Sequence, residues 1–168
     1  MMIDARTTAN GAAAGAAAAF VWAATEPLDK PIFGCRYSDV EFLGKGVTRG
    51  PAWRVIGFVM HIVNGALFGA VYANTKHRLP GPPAARGLAA GMIEHLLSWP
   101  ATAIADKVHP ARDELVSLSG NRAAFAQATW RHALFGATLG AVEGILNAEE
   151  AAEVADEATP LVPSGDQL

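Results

Sequence analysis

Four stretches of this 168-residue chain are almost empty of charge. Residues 7–25 and 55–73 hold no Asp, Glu, Lys or Arg, residues 87–105 hold only Glu94, and residues 123–142 hold only Arg131. Each has roughly the 20 residues that a helix needs to cross ~30 Å of hydrocarbon. The charges gather between them, in 26–54, 76–86 and 106–122. The pattern predicts an all-α fold, a four-transmembrane-helix bundle with helices at 7–26, 52–74, 84–107 and 122–148. Composition agrees: 17% of residues are charged, against ~25% in an ordinary soluble domain. The competing reading is a soluble bundle, because Ala-rich helices of modest hydropathy also pack in water.

Punctuation residues divide the chain. Pro27 is expected to stop the first helix. The 28–51 connection is polar, carries Gly34, Gly44, Gly46 and Gly50, and reads as a surface loop. Leu79-Pro80-Gly81-Pro82-Pro83 is a break, and Pro100 is expected to kink the third helix. Residues 149–168 are acidic without Lys or Arg, which predicts a disordered tail behind a membrane domain at 1–148. Residues 1–24 lack the basic n-region and compact apolar core of a signal peptide, and read as a retained helix. The net charge of −3 argues against a nucleic-acid partner. Cys35 stands alone, which excludes an intramolecular disulfide and the multi-cysteine metal motifs. No phosphate loop, dinucleotide fingerprint or nucleophile elbow occurs; Gly44-Lys45-Gly46 follows no strand.

The chain repeats itself. His61, Gly65, Gly69, Ala70 and Val71 recur as His132, Gly136, Gly140, Ala141 and Val142, 71 residues later. The helices before them open with Gly11-x-x-x-Gly15 and Gly87-x-x-x-Gly91. Two helix hairpins of one kind joined head to tail would give this pattern. Small residues four apart form a stripe along which helix backbones approach closely. Gly65 and Gly69, Gly87 and Gly91, and Gly136 and Gly140 are the expected packing positions. His61, His95 and His132 share those stripes and are expected to point into the bundle at similar depth.

Glu94 and Arg131 each precede one of these histidines, and their expected arrangement is an ion pair. Glu26, one turn after Trp22, closes the first helix at the same level, and Asn64 adds an amide. Glu143 is expected to reach the opposite interface, and Asp29-Lys30 and Asp106-Lys107 read as interfacial charges. Ionisable groups inside a membrane are costly and point to function. Three chemistries fit. Proton or ion handling would use histidine's titration near neutral pH. A metal or haem site would take His61, His95 and His132 as ligands. A structural subunit without chemistry of its own would use the histidines only for packing, its partners being the bilayer and further copies or a larger membrane complex.

Several short motifs resemble the YagU-like family of bacterial inner-membrane proteins. They are Trp22-Ala-Ala-Thr-Glu26-Pro27-Leu28, His61-Ile62 with Phe68 and Tyr72, Gly87-Leu-Ala-Ala-Gly91, His95-Leu-Leu-Ser98-Trp99-Pro100, and the surroundings of His132. The resemblance implies a multi-pass protein of the bacterial inner membrane, groups the three histidines as a set, and links the chain to acid resistance. It supplies no reaction. Basic residues number seven in the first and third connections against four on the other side, which predicts that those two connections are cytoplasmic.

Overall fold

The alanine-rich N-terminal stretch forms α1, Ala5–Phe33, opened by the Asp4 carboxylate accepting the Thr7 N–H at 2.7 Å. The structure, a computed structural model, describes residues 4–157. Pro27 does not stop α1, contrary to the sequence expectation. Pro27 and Pro31 both lie inside the helix on its exposed side, where the carbonyls they leave unpaired are not sealed inside protein. The helix ends where Gly34 adopts φ 61° and its N–H reaches the Lys30 carbonyl.

The 28–51 connection is only partly a loop. It contains the end of α1 and a further short helix, α2, Asp39–Val47, capped by Ser38. α3 follows at Trp53–Thr75 and ends in a 3-10 turn, Lys76–Arg78. α4, Pro83–Ser98, starts on a proline suited to the first helical turn. At Pro100 the chain breaks into a 3-10 turn, Trp99–Ala101, and then α5, Thr102–Val108. α6 is the longest element, Arg122–Glu157. It carries the helix nine residues past the expected end at 148, so the tail expected from 149 is helical through Glu157. Residues 158–168 lie outside the described residues. No strand occurs among the described residues.

Glycines decide how the long helices meet. α1 and α3 cross where a Cβ on Gly15 would fall 2.0 Å from the Gly65 carbonyl oxygen, and one on Gly69 would fall 2.1 Å from that of Gly11. α4 and α6 cross in the same way, with Gly87 against Gly136 and Gly140, and Gly91 against the His132 carbonyl. α1 also packs on α6, so α1 and α6 form the middle of the molecule and α3 and α4 flank them. α2 lies over the start of α3 through Gly44 and Gly57.

The distribution of side chains is inverted relative to a water-soluble core. Buried apolar positions are mostly small or aromatic, among them Ala14, Ala18, Ala19 and Trp22, with Leu118 and Leu139 as large exceptions, while Arg131, His95, Gln127, Glu143 and Asp29 are fully enclosed. Many of the large aliphatics face outward. On α3, Val55, Val59, Val63, Leu67 and Val71 recur every four residues and are 48–68% exposed. They lie opposite the buried stripe Gly57, His61, Gly65 and Gly69. Of the four charge-poor stretches, only the helix Trp53–Arg78 is long and apolar enough by itself to cross a membrane. α4 stops after 16 residues at the Pro100 break, and α1 and α6 are diluted by Ala, Gly and charge.

Candidate functional site

Neighbouring residues on a helix point ~100° apart, and that angle sends Arg131 and His132 to different partners. Arg131 faces α1. Its Nε and Nη2 donate to the two oxygens of Asp29 at 2.5 and 2.6 Å, and Nη2 also reaches the Tyr37 carbonyl at 3.2 Å. Asp39 at 3.4 Å and Glu26 at 3.6 Å complete a ring of three carboxylates around the guanidinium. Gln127 donates a further bond to Asp29 at 2.7 Å, and Lys30 neutralises Glu26 at 3.1 Å. A buried charge is tolerable only when paired and hydrogen-bonded, and this fork-to-fork pair meets both demands.

The expected Glu94–Arg131 pair is therefore not formed. α4 packs on the glycine face of α6, and that face carries His132. Glu94 Oε2 lies 2.8 Å from His132 Nε2. The other ring nitrogen, Nδ1, lies 2.7 Å from the Ala128 carbonyl oxygen. A carbonyl can only accept, so Nδ1 carries hydrogen. The Nε2–Oε2 contact then needs one proton between its two atoms, from an imidazolium or from a protonated carboxyl. In both forms the pair holds one exchangeable proton more than neutral His132 and ionised Glu94 would.

The other two histidines are fixed separately. His61 is buried, donates from Nε2 to the Ala19 carbonyl at 3.1 Å, and packs edge-on against Trp22 at 5.3 Å. His95 is fully buried with Nε2 2.9 Å from the Thr129 hydroxyl. That hydroxyl gives its own hydrogen to the Phe125 carbonyl at 2.8 Å, so His95 is the donor and its buried Nδ1 is left without a partner. His95 stacks on His132 at 4.6 Å, and Trp22 packs against His132 at 4.7 Å. His61 and His132 thus flank the Trp22 indole, and His95 touches only His132 of the other two rings. Among the described residues no group of three or more His, Cys, Asp or Glu side chains can hold a metal ion. His61, His95 and His132, expected as metal or haem ligands, form no such group of three.

A cavity of about 280 Å³ opens onto this arrangement, with Glu94, His132, His61, Asn64, Asp39 and Trp22 among its lining residues. Asn64 is otherwise exposed, and the buried Trp22 indole nitrogen makes no hydrogen bond. Glu26 sits behind the cavity, bonded to the Asp39 N–H at 3.2 Å. Asp39, Tyr37, Gln127 and Thr129 are neighbours that the sequence reading did not single out, and Asp29, expected as an interfacial charge, is instead buried against Arg131. Glu143 does not reach an interface. It is 1% exposed and is held by Lys76 and Asn147 at the far end of the molecule. Ser98 bonds the His95 carbonyl at 3.3 Å beside the Pro100 break.

Compared with models of protein families, with curated proteins and with solved structures, the chain matches none. The functional reading accordingly rests on the geometry.

Proposed function

We propose that the protein is a multi-pass protein of the bacterial inner membrane that handles protons through the Glu94–His132 pair. The crossing segments would be α1, α3, α4 with its 3-10 continuation, and α6. The outward aliphatic stripe of α3 and the small-residue contacts between helices support this, because a contiguous exposed apolar stripe marks a surface that meets lipid or another chain. The matching glycine contacts of the α1–α3 and α4–α6 pairs support two repeated hairpins. The YagU-like resemblance, with its link to acid stress, fits the same reading.

The observation that carries the chemistry is the proton that the Glu94–His132 contact must hold while facing an open cavity. Proton transfer needs a donor and an acceptor in hydrogen-bond contact and a route to water. The pair provides the first. Asp39 and Tyr37, at the α2 side of the cavity, mark the second. Arg131, held by Asp29, Glu26 and the Tyr37 carbonyl, keeps α1, α6 and the 34–39 segment fixed around the cavity and takes no part in transfer.

Reconstitution into vesicles carrying an internal pH dye tests the proposal. Wild type is expected to dissipate an imposed pH gradient clearly faster than empty vesicles. Glu94→Gln and His132→Gln should both fall to the empty-vesicle rate, because an amide cannot carry the proton near neutral pH. Unchanged flux in both variants would overturn the reading, and so would a wild-type rate no faster than that of empty vesicles.

A further inference from the structure

A larger space lies beside the Glu94–His132 cavity, and the proton chemistry does not use it. This cleft, of about 590 Å³, runs between α3 and α4 and is walled by Phe68, Val71, Ala90, Ile93 and Leu97. Its volume is that of a ligand site, typically ~300–1,000 Å³. One end closes on Glu94 and Ser98, and the other opens at Thr75 and Arg78, where α3 runs out.

Charge at the open end is unbalanced. Lys76 is neutralised by Glu143. Arg78 is exposed and makes no ion pair among the described residues. An occupant that suits the whole site is apolar along its length and anionic at one end. Guanidinium groups favour the oxygens of a phosphate, which they can grip with two parallel bonds.

We propose that the α3–α4 cleft holds one acyl chain of an anionic phospholipid, with its phosphate at Arg78. The inference rests on the membrane reading and not on the proton chemistry. The placement matches the expected depth of each part. Arg78 stands at the connection between two crossing segments, where headgroups lie, and the apolar wall extends inward from it for two to three helical turns. A chain lying there covers the α4 side of Glu94 and leaves the α2 side of the inner cavity as the way to water.

The test uses the full-length protein in detergent with equal amounts of dioleoyl-phosphatidylglycerol and dioleoyl-phosphatidylcholine, bound lipid being counted by native mass spectrometry. Wild type is expected to retain one phosphatidylglycerol, with a preference of about fivefold for one arginine at a headgroup. Arg78→Gln should reduce that preference severalfold. Ala90→Phe, which fills the cleft, should lose the retained lipid while keeping its helical circular dichroism. Arg78 is exposed and unpaired, so Arg78→Gln decides the matter even where Ala90→Phe does not fold. Equal retention of both lipids by wild type, an undiminished preference in Arg78→Gln, or a folded Ala90→Phe that keeps its lipid would each overturn the inference and leave the membrane reading standing. Recovery of the protein in water without detergent would overturn both.

Discussion

Asp29 and Glu94 are both acids facing a basic side chain on α6, yet they do different work because of what surrounds them. Asp29 is enclosed, takes two guanidinium nitrogens and an amide, and has no room for an alternative. Glu94 is half-exposed and meets a single imidazole. Removing one member of a buried ion pair leaves the other charge stranded, at a cost of about 3–5 kcal/mol. Asp29→Ala and Arg131→Ala should each destabilise by that amount, and the double variant little more than either single one. Glu94→Ala should cost clearly less than Asp29→Ala. Thermal unfolding of the four proteins in detergent measures this, and equal losses for Glu94→Ala and Asp29→Ala would contradict the assignment. A second carboxylate, Asp106, offers a pH test outside the proposed crossing segments. Burial works against its charge, but the N–H groups of Leu118 and Ser119 and the Ser117 hydroxyl outweigh this and hold its carboxyl below the ordinary aspartate value. A depressed value means that its stabilisation is complete above the unfolded aspartate's ~3.9 and is lost as pH falls through the lower folded value. Amide exchange at Leu118 and Ser119 should therefore accelerate below pH ~4 relative to Asp106→Asn, which should show no such step.

Among the elements, the glycine contacts are the most directly testable. Alanine is a better helix former than glycine by ~1 kcal/mol, so Gly15→Ala would stabilise an isolated α1. In the folded chain the added Cβ meets the Gly65 carbonyl at 2.0 Å, and the two helices must move apart. Overpacking of this kind costs about 1–3 kcal/mol. Gly15→Ala and Gly136→Ala should thus lower the melting temperature, while Gly50→Ala, whose Cβ would meet nothing closer than 3.5 Å, should not. Melting of the three variants checks the sign. These stripes were readable in the sequence because spacing alone puts residues four apart on one helix face. The same spacing would have exposed Asp29 as buried. Gly11, Gly15, Ala18, Trp22, Glu26 and Asp29 form one continuous buried line along α1. Treating Pro27 as a stop cut that line short and turned Asp29 into a surface charge. The partner of Arg131 was missed for a related reason. Residues at one depth need not share a face, and the facing of α6 toward α1 on one side and α4 on the other is a tertiary fact. α2 was hidden because its Gly44 and Gly46 resemble loop residues, although Gly44 is a contact glycine against Trp53.

Taken as a whole, the molecule has two ends of different character. Thr75, Pro83 and the start of α1 lie at one end. The other holds α2, α5 and the 109–121 connection, joined by Arg49 to Asp113 at 2.5 Å and by His109 Nε2 to the Phe42 carbonyl at 3.0 Å. If α1, α3, α4 and α6 cross a bilayer, these ends must open to opposite aqueous phases. The excess of basic residues would then put the α2 end in the cytoplasm. Cys35 cannot report this, because it is 4% exposed and lies beneath Leu118 and Ala124. In a Cys35→Ala background, cysteines placed singly at Ala84 and Arg112, both exposed, would report the two ends. A membrane-impermeant maleimide should label Ala84→Cys in intact spheroplasts and Arg112→Cys only after permeabilisation. The reverse pattern would keep the crossing helices and invert the orientation. Labelling of both sites in intact cells, or of neither, would mean that the two ends share one phase, and the outward Val and Leu stripe of α3 would then have to face another protein chain instead of lipid.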